Sequence, residues 1–330
     1  GTEVEVLNKE AFRGCKSLKE IRLAQNIRKV GESAFRDCIN AKSLSVECGK
    51  IELGERAFEN CASLSEIELC DDITEIYGGV FNSCKSLRSI DLPKKQTIIG
   101  ESAFADCEKL RSVKIPSHVT KLDDMVFSGC VELESVDLNS TLSIIGKNCF
   151  KECISLKTIQ IPASVKSIGL GLFRGCVSLE NILVDPKNKW YKTVDDVLFN
   201  KNKSTIICYP SQRKGDVYVI PDSVTVISDW TFCNSKLKSI EIPDSVNNIG
   251  EGAFYNNADI EHMVLPDSVT RIDDSAFRGC VSLKTVVIPS SVSEFGWGLF
   301  SGCDKVTIIC EGRSAAAKYC ATNNIAYKEK

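Results

Sequence analysis

The sequence predicts a repeat solenoid, in which one short structural unit recurs along the chain. Its phenylalanines follow a constant step of 23 residues at Phe12, Phe35, Phe58, Phe81, Phe104, Phe127, Phe150 and Phe173. The series resumes in steps of 22, 23 and 23 residues at Phe232, Phe254, Phe277 and Phe300. A fixed period of this length is typical of arrays whose neighbouring units bury their apolar faces against each other.

Each unit also contains an alternating segment that predicts a β-strand. Within residues 157–162, Ile159 and Ile161 would face the core, while the polar residues that alternate with them would face solvent. Proline often closes the segment, as Pro162 does here, because proline cannot donate to a strand ladder. Stacked units therefore predict one parallel sheet of short strands. The segment around each phenylalanine has room for no more than a turn of 3₁₀ or α-helix.

A small turn residue recurs four positions before most of the phenylalanines. Glycine holds this position at Gly31, Gly54, Gly100, Gly146, Gly169, Gly250 and Gly296. We expect a sharp turn with positive φ there, since glycine adopts it without strain. Asp123 and Asp273 replace the glycine in two units, and aspartate also tolerates the left-handed region.

The period divides the chain into regions of one expected domain. Residues 1–184 and 220–311 carry regular repeats, and residues 185–219 form an irregular variant or insertion. Residues 312–330 leave the pattern and are expected to cap the last unit. Within this cap, an alanine-rich segment that begins at Ser314 predicts a short helix, followed by a final strand around residues 325–327.

The irregular region predicts a β-hairpin. Two apolar runs, residues 197–199 and 205–209, flank the polar residues 200–203. Two interpretations remain open for this region. It is either a variant repeat that packs with its neighbours, or a projecting loop that presents Trp190 and Tyr191 as binding contacts.

The repeat motif Ile-Pro-x-Ser-Val-x-x-Ile-Gly-x-x-Ala-Phe-x-x-Cys-x-Ser-Leu-Lys-x-Ile resembles the BspA-type leucine-rich repeats, also called Treponema pallidum leucine-rich repeats. The resemblance covers nearly the whole chain, and residues 194–202 are similar to a variant segment that often interrupts such arrays. It implies a right-handed leucine-rich-repeat β/α superhelix. Members are typically surface or secreted proteins of bacteria and protist parasites, and several attach to host matrix proteins or to other cells. The matching residues build the repeat, so the resemblance assigns no binding residue.

The chain contains 17 cysteines, and three interpretations of them compete. Ten lie three residues after a phenylalanine, where stacking would bring neighbouring Cα atoms within disulfide range. An odd count in a repeating column instead favours free thiols that act as small buried hydrophobes. A zinc site is disfavoured, because there is no Cys-x-x-Cys pair and only His118 and His262 are present.

Composition and motifs argue against several function classes. The net charge of -3 is spread without long runs, so the basic footprint of a nucleic-acid-binding protein is missing. The apolar runs are far too short to insert into a membrane. The two histidines lie in different repeats, which disfavours an enzyme with a histidine-activated nucleophile. Four acidic doublets could suggest calcium, but turn geometry explains two of them, and we expect neither metal nor cofactor.

The outward-facing strand positions form the best candidate binding surface. These positions lie eight and ten residues after each phenylalanine, and their side chains would line one continuous face. Such faces of repeat proteins often bind partners. The candidate contacts on this face are Glu66, Glu68, Asp91, Lys114, Asp137 and Gln160. An alternative is a solvated face that only keeps the protein soluble.

The sequence thus predicts a non-enzymatic binding module at the cell surface or outside the cell. Its expected partners are host matrix proteins, cell-surface proteins or glycans, and a monomer is favoured. The alternative function is a structural spacer within a larger surface protein. A surface map would separate the two, since an apolar or singly charged patch favours binding.

Overall fold

The computed structural model describes residues 4–47 and 49–330 and confirms the predicted repeat solenoid. Strands of successive repeats pair in parallel and in register, so that Ser43 lies opposite both Glu20 and Glu66. Contacts divide the chain into two compact units. The first comprises the described residues of Gly1–Ser178 with Leu183–Trp190, and the second comprises Leu179–Ile182 with Tyr191–Lys330.

The predicted strands form what we call the face row. In the first unit these strands are Glu20–Leu23, Ser43–Val46, Glu66–Glu68, Ser112–Lys114, Ser135–Asp137 and Thr158–Ile161. In the second they are Val217–Val219, Ser239–Glu241, His262–Val264, Thr285–Val287, Thr307–Cys310 and Ala326–Glu329. Asn181–Val184 is a further strand, at the division between the units.

Each repeat also contributes to a second row of strands, and apart from the hairpin strands Val197–Asn200 and Thr205–Cys208 these were not predicted from the sequence. In the first unit these are Val6–Leu7, Lys29–Val30, Glu52–Leu53, Glu75–Ile76, Ile98–Ile99, Lys121–Leu122, Ile144–Ile145 and Ser167–Ile168. In the second they are Tyr191–Val194, Val197–Asn200, Thr205–Cys208, Val226–Ile227, Asn248–Ile249, Arg271–Ile272 and Glu294–Phe295. Most are only two residues long, too short for the period-two pattern to be visible.

The segment around each phenylalanine is a turn in which residues with left-handed backbone conformation, at positive φ, alternate with residues at negative φ. All twelve repeat phenylalanines are flanked, two residues before and two after, by residues with φ between 52° and 76°. This alternation cannot form a helix, and it directs amides toward the next repeat. In one repeat, the amides of Ser102, Phe104 and Asp106 all donate to carbonyls of the next repeat, at 2.7–3.0 Å.

The phenylalanines and cysteines form two ladders through the core. Consecutive phenylalanine rings stack with centroids 5.0–6.0 Å apart in the first unit and 5.3–5.4 Å apart in the second. Nine of the cysteines donate from Sγ to the phenylalanine carbonyl of the preceding repeat, at 3.0–3.4 Å. The sixteen described cysteines are free thiols; Cys48 lies outside the described residues.

Two buried polar residues continue the cysteine ladder where cysteine is missing. Asn257 occupies the cysteine position of its repeat, and its Nδ2 donates to the Phe232 carbonyl at 2.9 Å. Ser235 holds the same position one repeat earlier and donates to the Asn257 side chain. Both side chains are buried, so this pairing satisfies groups that would be costly to leave without a partner.

The glycine expectation was correct about position but wrong about cause. None of the seven glycines four residues before a phenylalanine has a positive φ, and neither has Asp123 or Asp273. The glycines are instead required by close approach of the preceding repeat. A Cβ on Gly146, for example, would lie 2.5 Å from the carbonyl carbon and oxygen of Asp123.

Most of the irregular region, from Tyr191 onward, belongs to the second unit, whereas residues 185–190 belong to the first. Val197–Asn200 pairs antiparallel with Thr205–Cys208, which confirms the predicted hairpin, and Tyr191–Val194 adds an antiparallel strand that the sequence analysis missed. Val197, Leu198 and Phe199 are fully buried. Residues 197–199 are therefore part of the core.

The C-terminal region forms the predicted helix and strand. The helix spans Ala315–Asn323, and the Ser314 side chain caps it by accepting from the Ala317 amide. Ala326–Glu329 then pairs in parallel with Thr307–Cys310. Buried helix residues, including Cys320, pack against the core of the second unit, as expected for a terminal cap.

Candidate binding surface

All six predicted face contacts are exposed and lie along the face row of the first unit. They are Glu66, Glu68, Asp91, Lys114, Asp137 and Gln160. Asp91 differs from the other five, because it lies in a segment that forms no named strand. The alternation of the strands turns these side chains outward while the intervening apolar residues pack inward.

Three of these residues line one concave region of the face row. Asp91, Lys114 and Asp137 come from successive repeats and border a groove of about 880 Å³. Lys114 Nζ lies 3.8 Å from an Asp137 carboxylate oxygen, on adjacent paired strands. The groove extends between Leu69 and Ser140, so residues of four repeats contribute to it. We call this region the strand-face groove.

Three carboxylates beside or within the groove have no ion-pair partner in the described part of the chain. They are Glu66, Glu68 and Asp91. Some other carboxylates pair with cations of a neighbouring repeat, as Glu261 does with Lys284 at 2.6 Å, and this ammonium lowers the pKa of Glu261. The unpaired carboxylates make this part of the face acidic, which favours association with a positively charged partner.

The two aromatic candidates of the irregular region have different environments. Trp190 is 37 % exposed, its amide donates to the Asn188 side chain at 2.8 Å, and Lys166 Nζ lies 5.6 Å from its ring centroid. Tyr191 is half-buried and begins a strand. The role of both residues as binding contacts stays a prediction.

The sequence analysis missed an apolar patch on the face row of the second unit. Val264, Val287 and Ile309 lie side by side on three paired strands, and Val264 is 62 % exposed. Beside them, His262 Nδ1 lies 2.7 Å from the Thr285 hydroxyl oxygen. Reading the outward positions beyond Phe232 would have found Val264 and Val287, which lie ten residues after Phe254 and Phe277. Ile309 lies nine residues after Phe300, so the same offset does not mark it.

The acidic doublets have structural roles. Asp124 Oδ1 accepts the Lys147 amide at 2.8 Å, and Asp274 Oδ1 accepts the Trp297 amide at 2.7 Å, each across one repeat. Asp195 and Asp196 form the tight turn between two antiparallel strands, with φ of 48° and 65°. Asp72 pairs with a lysine of the next repeat at 2.8 Å. Within residues 4–47 and 49–330, no cluster of three or more potential metal-ligating side chains occurs.

Both histidines are exposed and lie beside hydroxyl groups. The ring of His118 is 3.5 Å from the Ser117 hydroxyl, and Glu261 lies 3.9 Å from the ring of His262. The His262 group sits on an open strand face. Such exposure provides none of the exclusion of water that supports nucleophilic catalysis.

Comparison with families gives a match over most of the chain. Residues 2–110, 74–208 and 208–320 match the family described as "BspA type Leucine rich repeat region (6 copies)". No curated protein is significantly similar in sequence. The part of the chain that the structure describes has no helix with the length and apolar character needed to cross a bilayer.

Solved bacterial structures share the fold. A leucine-rich cell surface protein from Faecalibacterium prausnitzii is 25% identical, with a TM-score of 0.70 over 99% of this chain and 87% of that one. The pneumococcal vaccine antigen PcpA is 17% identical, with a TM-score of 0.62 over 100% and 95% of the two chains. A leucine-rich repeat protein from Eubacterium ventriosum is 23% identical, with a TM-score of 0.54 over 90% and 67%.

Proposed function

The chain belongs to the BspA-type leucine-rich repeat family, and we propose that it is an extracellular binding module whose protein partner docks on the face row of the first unit. The fold is of a non-enzymatic scaffold type, and the family suggests a protein-binding repeat module. The cell-surface description of the Faecalibacterium protein supports an extracellular location.

The strand-face groove is the observation that carries this proposal. It gathers charged side chains from successive repeats around one concavity, and an uncompensated acidic region borders it. A surface that only maintained solubility would not require unpaired like charges in neighbouring repeats, because like charges on adjacent strands repel each other. A basic partner would relieve that repulsion and gain affinity and association rate from the complementary charge.

The proposal is tested by binding to an array of host matrix proteins and glycans. The test variant combines Glu66→Lys, Glu68→Lys and Asp91→Lys. The control combines Glu55→Lys, Glu101→Lys and Asp304→Lys, which make the same net charge change at exposed positions outside the face row. Circular dichroism would verify that both variants fold.

Saturable binding that the test variant loses and the control retains supports adhesion through this face. Binding retained equally by both variants would place the site elsewhere, with the region of Trp190 and Tyr191 or the apolar patch of the second unit as the next candidates. Absence of binding to every probe would contradict the proposal and favour the structural spacer.

A further inference from the structure

The face row of the first unit is interrupted inside the strand-face groove. Residues 89–91 occupy the place of a strand, yet their only pairing is an isolated bridge between Ser89 and Ser112. The strands Glu66–Glu68 and Ser112–Lys114, on either side, belong to separate sheets. Stacking is intact in the core of the same repeats, where the rings of Phe58 and Phe81 lie 5.6 Å apart. The second row is interrupted between the same repeats, because Glu52–Leu53 and Glu75–Ile76 also belong to separate sheets. These repeats therefore remain stacked in the core and separate at both strand rows.

The interruption leaves backbone groups without partners. One repeat further on, the amide of Ile115 donates to the Asp137 carbonyl at 2.9 Å. The equivalent amides of Leu69 and Leu92 make no such bond in the described chain, and the Asp91 carbonyl accepts none. Most backbone groups in a folded protein are paired, so a groove with both free donors and a free acceptor complements another polypeptide backbone.

The lining of the groove defines the side chains that it would accept. Leu69, Ile90, Leu92 and Ile115 provide apolar surface, and Ile90 is only 6 % exposed. Two lysines and three carboxylates border this surface, and Lys94 and Lys114 pair with Asp71 and Asp137. The third carboxylate, Asp91, has no ion-pair partner in residues 4–47 and 49–330. An apolar floor with a free carboxylate at its border suits the aliphatic stem and charged end of lysine or arginine.

We propose that the strand-face groove binds an extended peptide segment with a basic side chain directed toward Asp91. This inference rests on the proposed function and specifies which kind of segment of the protein partner binds to the same face. The segment lies along the strands in the gap between residues 66–69 and 89–91, as an added strand does. One of its carbonyls accepts from the Leu69 amide, and one of its amides donates to the Asp91 carbonyl.

The test uses synthetic peptides of about eight residues, with a central lysine or arginine flanked by valine and threonine, on the full chain. Matched peptides carry glutamate in place of the basic residue, or N-methyl groups on alternate amides. Fluorescence anisotropy measures affinity for the wild type, Asp91→Asn, Asp91→Lys and the control Asp304→Lys. Hydrogen exchange reports protection of the Leu69 amide in the complex, and the Leu92 amide, which faces the next repeat, is the internal control.

We expect the basic peptides to bind with protection of the Leu69 amide and without protection of the Leu92 amide. Affinity should fall at least about tenfold in Asp91→Asn, further in Asp91→Lys, and remain unchanged in Asp304→Lys, because loss of a charge-assisted hydrogen bond typically costs that much. N-methylation should abolish binding. The inference is overturned if glutamate peptides bind equally well, if N-methylation has no effect, or if no basic peptide binds. In that last case, a matrix protein whose binding is lost in the triple charge-reversal variant would leave the proposed function standing.

Discussion

Gly146→Ala introduces one methyl group where two repeats are in contact through their backbones. The new Cβ would lie 2.5 Å from the carbonyl carbon and oxygen of Asp123 and 2.6 Å from the Asp124 nitrogen. These distances are about 1 Å shorter than ordinary van der Waals contact, and backbone atoms cannot rotate away as a side chain can. The repeats would have to separate, which weakens the bonds from the Gly146 amide to Leu122 and from the Lys147 amide to Asp124, now 2.9 and 2.8 Å long.

Overpacking typically costs 1–3 kcal/mol and a weakened hydrogen bond about 1 kcal/mol, so Gly146→Ala should lower the free energy of unfolding by about 2–4 kcal/mol. Gly78→Ala is the matched control, because its nearest atom, the Glu101 carbonyl oxygen, is 3.4 Å from the new Cβ and its φ is not positive. The control should change stability by less than about 1 kcal/mol. Urea unfolding followed by circular dichroism measures both, and equal effects would refute the close-contact explanation.

Three further predictions concern the core and can be measured by urea unfolding. Phe104→Ala removes a fully buried ring and should lower the free energy of unfolding by about 3–5 kcal/mol. Phe12→Ala removes a ring that is 39 % exposed and should lower it by less than half as much. A similar loss in both variants would contradict the ring ladder. Asn257→Ala leaves the Phe232 carbonyl without its side-chain donor and should lower the free energy of unfolding by about 1–3 kcal/mol. Asn257→Cys should recover part of that loss, because a thiol can donate to the same carbonyl. Equal stability of the two variants would contradict the role of Asn257 as a replacement for cysteine in the ladder. Burial raises the pKa of Cys61 from 9.0 to about 12, so its contribution to stability is present below pH 9 and is lost between pH 9 and 12. Because burial also raises the pKa of further core thiols, such as Cys84, unfolding free energy should fall by about 1 kcal/mol per such thiol between pH 9 and 10. A constant value over that range would contradict the thiol burial.

The period of the phenylalanines was sufficient to predict the solenoid, because each repeat buries the same residue types at the same offsets. Local sequence patterns were sufficient to predict the hairpin of residues 197–208, from its two apolar runs, and the helix that follows Ser314, from its alanine content and N-cap. The second strand row escaped prediction because a pair such as Lys29–Val30 is too short to alternate. Distances between repeats were equally hidden, so glycines such as Gly146 were assigned to positive φ rather than to close contact.

The candidate binding surface was only partly predictable, because it depends on contacts between repeats as well as on the pattern within each repeat. Strand alternation was enough to place Asp91, Lys114 and Asp137 on the outer face. Nothing in the repeat motif distinguishes residues 89–91 from the equivalent segments of neighbouring repeats. They differ in strand pairing, since their only pairing in the described chain is the bridge from Ser89 to Ser112. The groove therefore depends on backbone pairing across repeats, which the sequence of a single repeat does not encode.

Hydrogen exchange of the unliganded protein, resolved to single amides, tests the interrupted face row most directly. Among the described residues, the Leu69 and Leu92 amides have no backbone acceptor, whereas the Ile115 amide donates to Asp137 at 2.9 Å in the same row. We predict that the first two exchange at least about tenfold faster than the third, because exchange from a paired amide requires local opening. Equal protection of all three amides would mean that the row is continuous, and would contradict the strand-face groove as the binding site.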